Sequence, residues 1–225
     1  MNRFRYEAHD DVVHLTWDDG KANSVSSESL GEFNDLLDWI DQDEAKGLVL
    51  TGRPGVFCAG FDLAELGKGD STTRDLVRGG AELLLRLYSL PIPVAVGCTG
   101  HSLGMGALLL LIGDIRWGAP GSHKIGLNET AIGLPMPTFG SELAVARLSR
   151  RHLQRSVLLA EIYGPNEAVD AGFLDRVCEE GRLHDEIAAE GARLAAQGGK
   201  HFTRTKRRLR EDTIDRIRAS FDNEL

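Results

Sequence analysis

The sequence predicts an α/β fold closed by a helical C-terminal layer, and three observations predict it. Short apolar runs with strand character alternate with segments of helical periodicity as far as residue 125. A strand, glycine-lined turn and helix follow one another twice, around Gly55-Val56-Phe57-Cys58-Ala59-Gly60-Phe61-Asp62-Leu63 and around Cys98-Thr99-Gly100-His101-Ser102-Leu103-Gly104-Met105-Gly106-Ala107. From Gly140 onward only helical patterns remain. Such alternation requires crossover connections and a mixed sheet with helices outside it.

Taken in order, residues 12–17 alternate like an edge strand, and Asp18-Asp19-Gly20-Lys21 supplies a turn. Leu30, Phe33, Leu36, Leu37 and Ile40 share one helical face across residues 26–40, with Ser26 or Ser27 as the N-cap. Residues 47–51 form a compact buried strand, 62–66 a short helix, and 73–90 a longer helix stopped by Pro91. Strand 94–96, helix 105–112, strand 114–117 and a strand around Lys124 and Ile125 repeat the unit. Helices are expected over 141–148, 152–161, 166–171, 183–196 and 203–221, broken at Gly164-Pro165 and Gly198-Gly199. The core is expected over residues 1–165 and a helical region over 166–225, without a linker that would separate independent domains.

A chain of 225 residues with 42% apolar and 27% charged residues can bury a core without disulfides or a metal. The net charge of −8 argues against nucleic acid or an anionic membrane as a partner. Cys58, Cys98 and Cys178 contain no C-x-x-C pair and are odd in number, as expected of reduced cytoplasmic thiols, and they spell out no metal site. The first seven residues lack the apolar stretch of a signal peptide, and the longest apolar run, 107–112, is too short to cross a bilayer.

Each glycine turn places free backbone N–H groups where a helix begins, and two such turns can form an oxyanion hole that polarises a carbonyl. In order and spacing these segments resemble the crotonase superfamily, also called the enoyl-CoA hydratase/isomerase family, over residues 6–180. Lys21-Ala22-Asn23-Ser24 looks like its early coenzyme A loop, the segments around Phe61 and Met105 like its two oxyanion turns, and Asp114-Ile115-Arg116 and Gly126-Leu127-Asn128-Glu129-Thr130 like later landmarks. The resemblance implies a spiral of β-β-α repeats whose helical C-terminal region assembles a homotrimer or dimer of trimers. It implies an acyl-CoA thioester substrate with fatty-acid β-oxidation as context, and coenzyme A entering as part of the substrate, so that no separate cofactor is expected.

By position, the thioester oxygen would lie between the N–H groups of Phe61 and Met105. Lys21, Ala22, Asn23, Ala59, Gly60, Asp62, Leu63, Gly104 and Leu108 would contact substrate. Family hydratases carry two glutamates; here the first position is Leu108 and the second is Glu129. Addition of water across a 2-enoyl thioester normally engages two carboxylates, whereas a 1,3-proton shift needs one base. The string around Glu129 also looks like the loop of Δ3,Δ2-enoyl-CoA isomerases. Glu129 is therefore expected to act as sole acid/base within an apolar wall that includes Leu108 and raises its pKa. Hydratase is the runner-up reaction, and a non-catalytic acyl-CoA-binding protein the alternative from another class.

Other features carry plainer readings. Asp62 is expected to cap the helix that follows it, His101 to bond locally, and Cys58 to be a small buried residue. Lys200, Arg204, Lys206, Arg207, Arg208 and Arg210 read as a solvated helix face. The Met105 turn also resembles Clp-type serine peptidases, but Gly104 stands where their serine would be, and Ser102 comes two residues early.

The C-terminal region is also expected to be short of the last helices that close the acyl pocket in this family.

Overall fold

The computed structural model describes residues 3–9, 11–42 and 45–224. Strands β1 (Phe4–His9) and β2 (Val12–Trp17) pair antiparallel, with Phe4 opposite Trp17. Helix α1 (Ser27–Gln42) then crosses to β3 (Gly47–Gly52), which lies parallel to β2. The chain next leaves this sheet for β4 (Gly55–Cys58), turns through α2 (Leu63–Leu66), and returns by way of α3 (Ser71–Ser89).

The same circuit repeats. β5 (Val94–Cys98) joins the first sheet, β6 (Gly100–Leu103) pairs with β4, and α4 (Met105–Leu111) follows. A third circuit runs from β7 (Ile115–Gly118) to β8 (Ile125–Gly126) and a 3-10 turn, Thr130–Ile132. Two sheets result, one ordered β1-β2-β3-β5-β7 and continued by a late strand, and one ordered β4-β6-β8. This is the spiral of β-β-α repeats, with each circuit placing a glycine-rich turn at the small sheet.

The core lies between the first sheet and α1, α3 and α4. All seven residues of α4 are buried, as an apolar helix without a polar face must be. α1 buries Leu30, Phe33, Leu36, Leu37 and Ile40, the face expected from their spacing. Each such side chain contributes ~1.5–3 kcal/mol on burial.

Helices α5 (Thr138–Arg147), α6 (Leu153–Val157), α7 (Pro165–Ala171), α8 (Leu183–Gln197) and α9 (Lys200–Glu224) complete the chain. Pro165 begins α7 at a position where its missing N–H costs no hydrogen bond. The expectation that strands stop at Gly140 is corrected by β9 (Arg176–Val177), which extends the first sheet beside β7. Two residues are too few for a periodic signal. β1, β4 and β6 also escaped the reading by periodicity, because β1 exposes five of its six residues and the other two lie within turns rich in glycine.

α8 packs on β2, β3, β5 and β7, and α9 on α3 and α5, so residues beyond 165 build onto the core sheet and its helices. The region expected to lack its last helices ends in α9, a helix of 25 residues. The solvated face expected for α9 is corrected at two positions. Lys206 and Arg210 are 7% and 3% exposed, and both bond Asp114, at 2.6 and 2.7 Å. Arg210 also donates to the carbonyls of Tyr88 and Ile112, so α9 is fastened through a buried charge cluster. Lys200, Arg204, Arg207 and Arg208 are exposed, as expected.

Candidate active site

The spiral brings the two glycine turns together. Val25 makes a parallel bridge to Phe61: its N–H donates to Gly60 O at 2.8 Å, and Asp62 N–H donates to Val25 O at 2.9 Å. This ladder passes over the Phe61 N–H, which has no acceptor among the described residues. The Met105 N–H opens α4 and likewise has none, as expected at the start of a helix. Gly60, at φ +102°, packs so closely on the second turn that a methyl group there would lie 3.0 Å from Leu103 O and 3.7 Å from Met105 N. Two unpaired donors therefore stand on adjoining turns, and the second has the α4 dipole behind it.

Gly104 adopts φ +54°, which glycine reaches without the steric cost of a side chain. The carboxylate of Glu129 faces it: a methyl group on Gly104 would lie 3.3 Å from Glu129 Oε1 and 3.3 Å from Asn128 Oδ1. Glu129 Oε2 is sealed from solvent and has no hydrogen-bond partner among the described residues. Burial pushes the Glu129 carboxyl above its ordinary value, opposed by its own backbone N–H. The residue is held from behind, since Ile132 N and Leu134 N both donate to Glu129 O, at 3.1 and 2.9 Å. β8, just upstream, is clamped by two hydrogen bonds between Ile125 and Tyr163, at 3.0 and 2.9 Å.

The remaining residues expected at the site divide. Ala59 and Leu63 are exposed at the rim. Asp62 caps α2, accepting from Ala64 N at 2.9 Å and Glu65 N at 3.0 Å. Lys21 is exposed, its carbonyl held by Arg53 Nε at 2.7 Å, and Ala22 O accepts from Ala59 N at 3.0 Å, which ties the early loop to the first glycine turn.

Asn23 requires correction as a substrate contact. It is 0% exposed, and its side-chain N–H groups donate to Trp17 O at 2.7 Å and Phe57 O at 3.1 Å. Its amide is consumed in joining the loop to β2 and β4, and its φ of +50° is one that asparagine tolerates. Leu108 is 1% exposed, with Cδ1 against Gly140 of α5, where a methyl would lie 3.3 Å away. It stands in the core and carries no carboxylate.

His101 Nδ1 accepts from Lys124 N at 3.0 Å, and its ring packs edge-on against His123, a local role. Burial pushes the Cys58 thiol up to about 12, far from a reactive thiolate. Ser102 is fully buried, and its hydroxyl has no partner, and so no activating base, among the described residues. Among the described residues no group of three or more histidine, cysteine, aspartate or glutamate side chains could hold a metal ion. No described helix is long and apolar enough to cross a membrane. A cavity of about 780 Å³ lined by His9, His14, His123 and His184 lies elsewhere and includes neither turn donor nor Glu129.

The reading from sequence missed Asn128 as a site residue. Its side chain flanks Gly104 beside Glu129, a placement that follows from adjacency but has no signal of its own.

Comparisons with known proteins show what this chain is similar to. The model for the enoyl-CoA hydratase/isomerase family matches residues 7–225. Mouse mitochondrial enoyl-CoA delta isomerase 1 is 31% identical over 199 residues, covering 87% of this chain and 69% of that protein. The crystal structure of an enoyl-CoA hydratase/isomerase family protein from Pseudomonas syringae superposes with a TM-score of 0.95 at 35% identity, over 99% of this chain and 96% of that one. Human mitochondrial delta3-delta2-enoyl-CoA isomerase gives a TM-score of 0.93 at 28% identity, over 99% and 90% of the respective chains.

Proposed function

The chain belongs to the enoyl-CoA hydratase/isomerase family, and from that premise we propose that it is a Δ3,Δ2-enoyl-CoA isomerase using Glu129 as its sole acid and base. The observation that carries the proposal is the Glu129 carboxylate lying against Gly104, one residue from the Met105 donor, with its Oε2 sealed and without a partner among the described residues. Glu129 as carboxylate takes a proton from C2 of a 3-enoyl thioester. The electron pair passes into the thioester carbonyl, and the enolate oxygen accepts from the N–H groups of Phe61 and Met105. Glu129, now the acid, returns the proton at C4, the double bond moves to C2–C3, and the carboxylate is restored. Each oxyanion donor of this kind contributes about 10²–10³ in rate, and the acid–base residue about 10²–10⁴.

Leu108 supports the choice of reaction, because the position that would hold a second carboxylate is apolar and buried. A raised pKa suits Glu129 to both halves of the cycle, since the base that accepts the proton must also release it. Coenzyme A enters as part of the substrate, with Lys21, Ala22, Ala59, Gly60, Asp62 and Leu63 lining its approach, and the mechanism calls for no separate cofactor. The exposed Leu158, Leu159 and Ile162, with Ile132 and Leu134 beside the Glu129 loop, are consistent with an assembly that covers them, a homotrimer or dimer of trimers by the family resemblance.

The test incubates the purified protein with a 3-enoyl-CoA and, separately, with a 2-enoyl-CoA. Formation of 2-enoyl-CoA from the first, with no 3-hydroxyacyl-CoA from the second, is expected. The reverse result makes the protein a hydratase, and binding without either product makes it a non-catalytic acyl-CoA binder.

A further inference from the structure

α3 carries two consecutive glycines, Gly79 and Gly80, midway along its nineteen residues. Apart from proline, glycine is the residue least favoured inside a helix, so a pair there calls for a local reason. The two meet different neighbours. A methyl group on Gly79 would lie 2.9 Å from Leu30 Cδ1, the free end of a side chain that can rotate. On Gly80 it would lie 2.5 Å from Phe61 Cζ, 2.6 Å from Phe61 Cε1 and 3.4 Å from Met105 Cε.

Non-bonded carbons sit about 3.5–4.0 Å apart, so the space over Gly80 is already filled by the Phe61 ring, with Met105 at its flank. The side chains of both oxyanion residues therefore rest on one bare stretch of helix backbone. We propose that Gly80 is a positioning residue that seats Phe61 and Met105 so that their N–H groups converge on one oxygen. This rests on the reading of those two N–H groups as the oxyanion hole.

The coupling is mechanical. A phenylalanine ring moves as a rigid plate, and Met105 Cε lies close to the same point of the helix. A side chain at Gly80 would displace the plate by about 1 Å from contact distance. Part of that displacement passes to the Phe61 backbone, whose N–H is unpaired between the two hydrogen bonds that Val25 makes to Gly60 and Asp62. Misplacement of about 1 Å in a catalytic array costs about 10²-fold.

The experiment compares Gly80→Ala, Gly79→Ala and Gly80→Ala/Phe61→Leu in the full chain. It reads kcat and KM on a 3-enoyl-CoA, the ultraviolet band of enolised acetoacetyl-CoA bound at saturation, and the melting temperature. Gly80→Ala is expected to lose about 10–100-fold in kcat with KM little changed, and to weaken the enolate band. Gly79→Ala is expected to match the wild type in both. The double variant is expected to recover most of the loss, because leucine lacks the ring atoms that meet the new methyl.

Wild-type kcat and enolate band in Gly80→Ala overturn the proposal. So does a folded double variant with no recovery. If Gly80→Ala melts too low to assay, recovery by the double variant supports the proposal and its absence overturns it. A wild-type protein that neither isomerises nor enolises acetoacetyl-CoA overturns the oxyanion reading and this proposal with it, whereas failure of Gly80 alone leaves wild-type enolisation intact.

Discussion

Replacing Glu129 by Gln separates the chemistry of this carboxylate from its effect on stability. The change keeps the size of the side chain and removes its ability to take up a proton. Loss of the sole acid–base residue is expected to lower kcat on a 3-enoyl-CoA by about 10³-fold, or ~4 kcal/mol in the barrier. The folded protein should respond in the opposite sense. Burial raises the Glu129 pKa above 4.5, so the folded state favours the neutral acid. A carboxyl with a raised folded pKa contributes stability below the unfolded pKa and loses it as pH climbs through the folded value. At about pH 7.5 the wild type bears the cost of this buried charge, and it bears progressively less of it as the pH falls toward about 4.5. Glutamine bears no such charge at either pH. The melting temperature of the variant relative to wild type should therefore be higher at the upper pH than at the lower. Any cost of the buried amide itself is independent of pH and cancels in that difference. Calorimetry at the two pH values, paired with the isomerase assay, makes the check. Retained activity rules out Glu129 as the sole acid and base, and a variant that gains nothing in relative stability at the upper pH rules out a raised Glu129 pKa.

Four further outcomes follow from the geometry. Gly60→Ala forces a side chain into φ +102° and against Leu103 O; kcat is expected to fall about 10²-fold with a smaller change in KM, measured by steady-state kinetics. Asp114→Ala leaves Lys206 and Arg210 buried without their shared anion; the expected cost of ~3–5 kcal/mol lowers the melting temperature by about 6–20 °C. Lys206→Met costs less, because Asp114 keeps Arg210 and the Val94 N–H. Cys58 and Cys98, both buried with thiols pushed up to about 12, should resist a thiol-directed reagent at about pH 8 until the protein is unfolded, as mass spectrometry of labelled protein will show.

Much of the fold was legible because its signals are local. The spacing of Leu30, Phe33, Leu37 and Ile40 set α1, the run before Pro91 set the end of α3, and the two strand, turn and helix segments set the spiral. What escaped reading depends on contacts distant in sequence. β4 and β6 are strands only because the small sheet pairs them, as Val56 faces His101. Lys206 and Arg210 resemble a solvated face until Asp114, more than ninety residues earlier, is found beneath them. At the site, Phe61, Met105 and Glu129 could be picked out from their turns and from the resemblance. The burial of Asn23 could not, because its partners Trp17 O and Phe57 O are backbone atoms with no mark in the sequence.

In the proposed reaction one carboxylate carries one proton from C2 to C4. A 3-enoyl-CoA deuterated at C2, turned over once on excess protein in ordinary water, follows that proton. Because Glu129 Oε2 is sealed from solvent, a measurable share of the deuterium is expected at C4 of the 2-enoyl-CoA. A product whose C4 hydrogen comes entirely from water contradicts the single-carboxylate account.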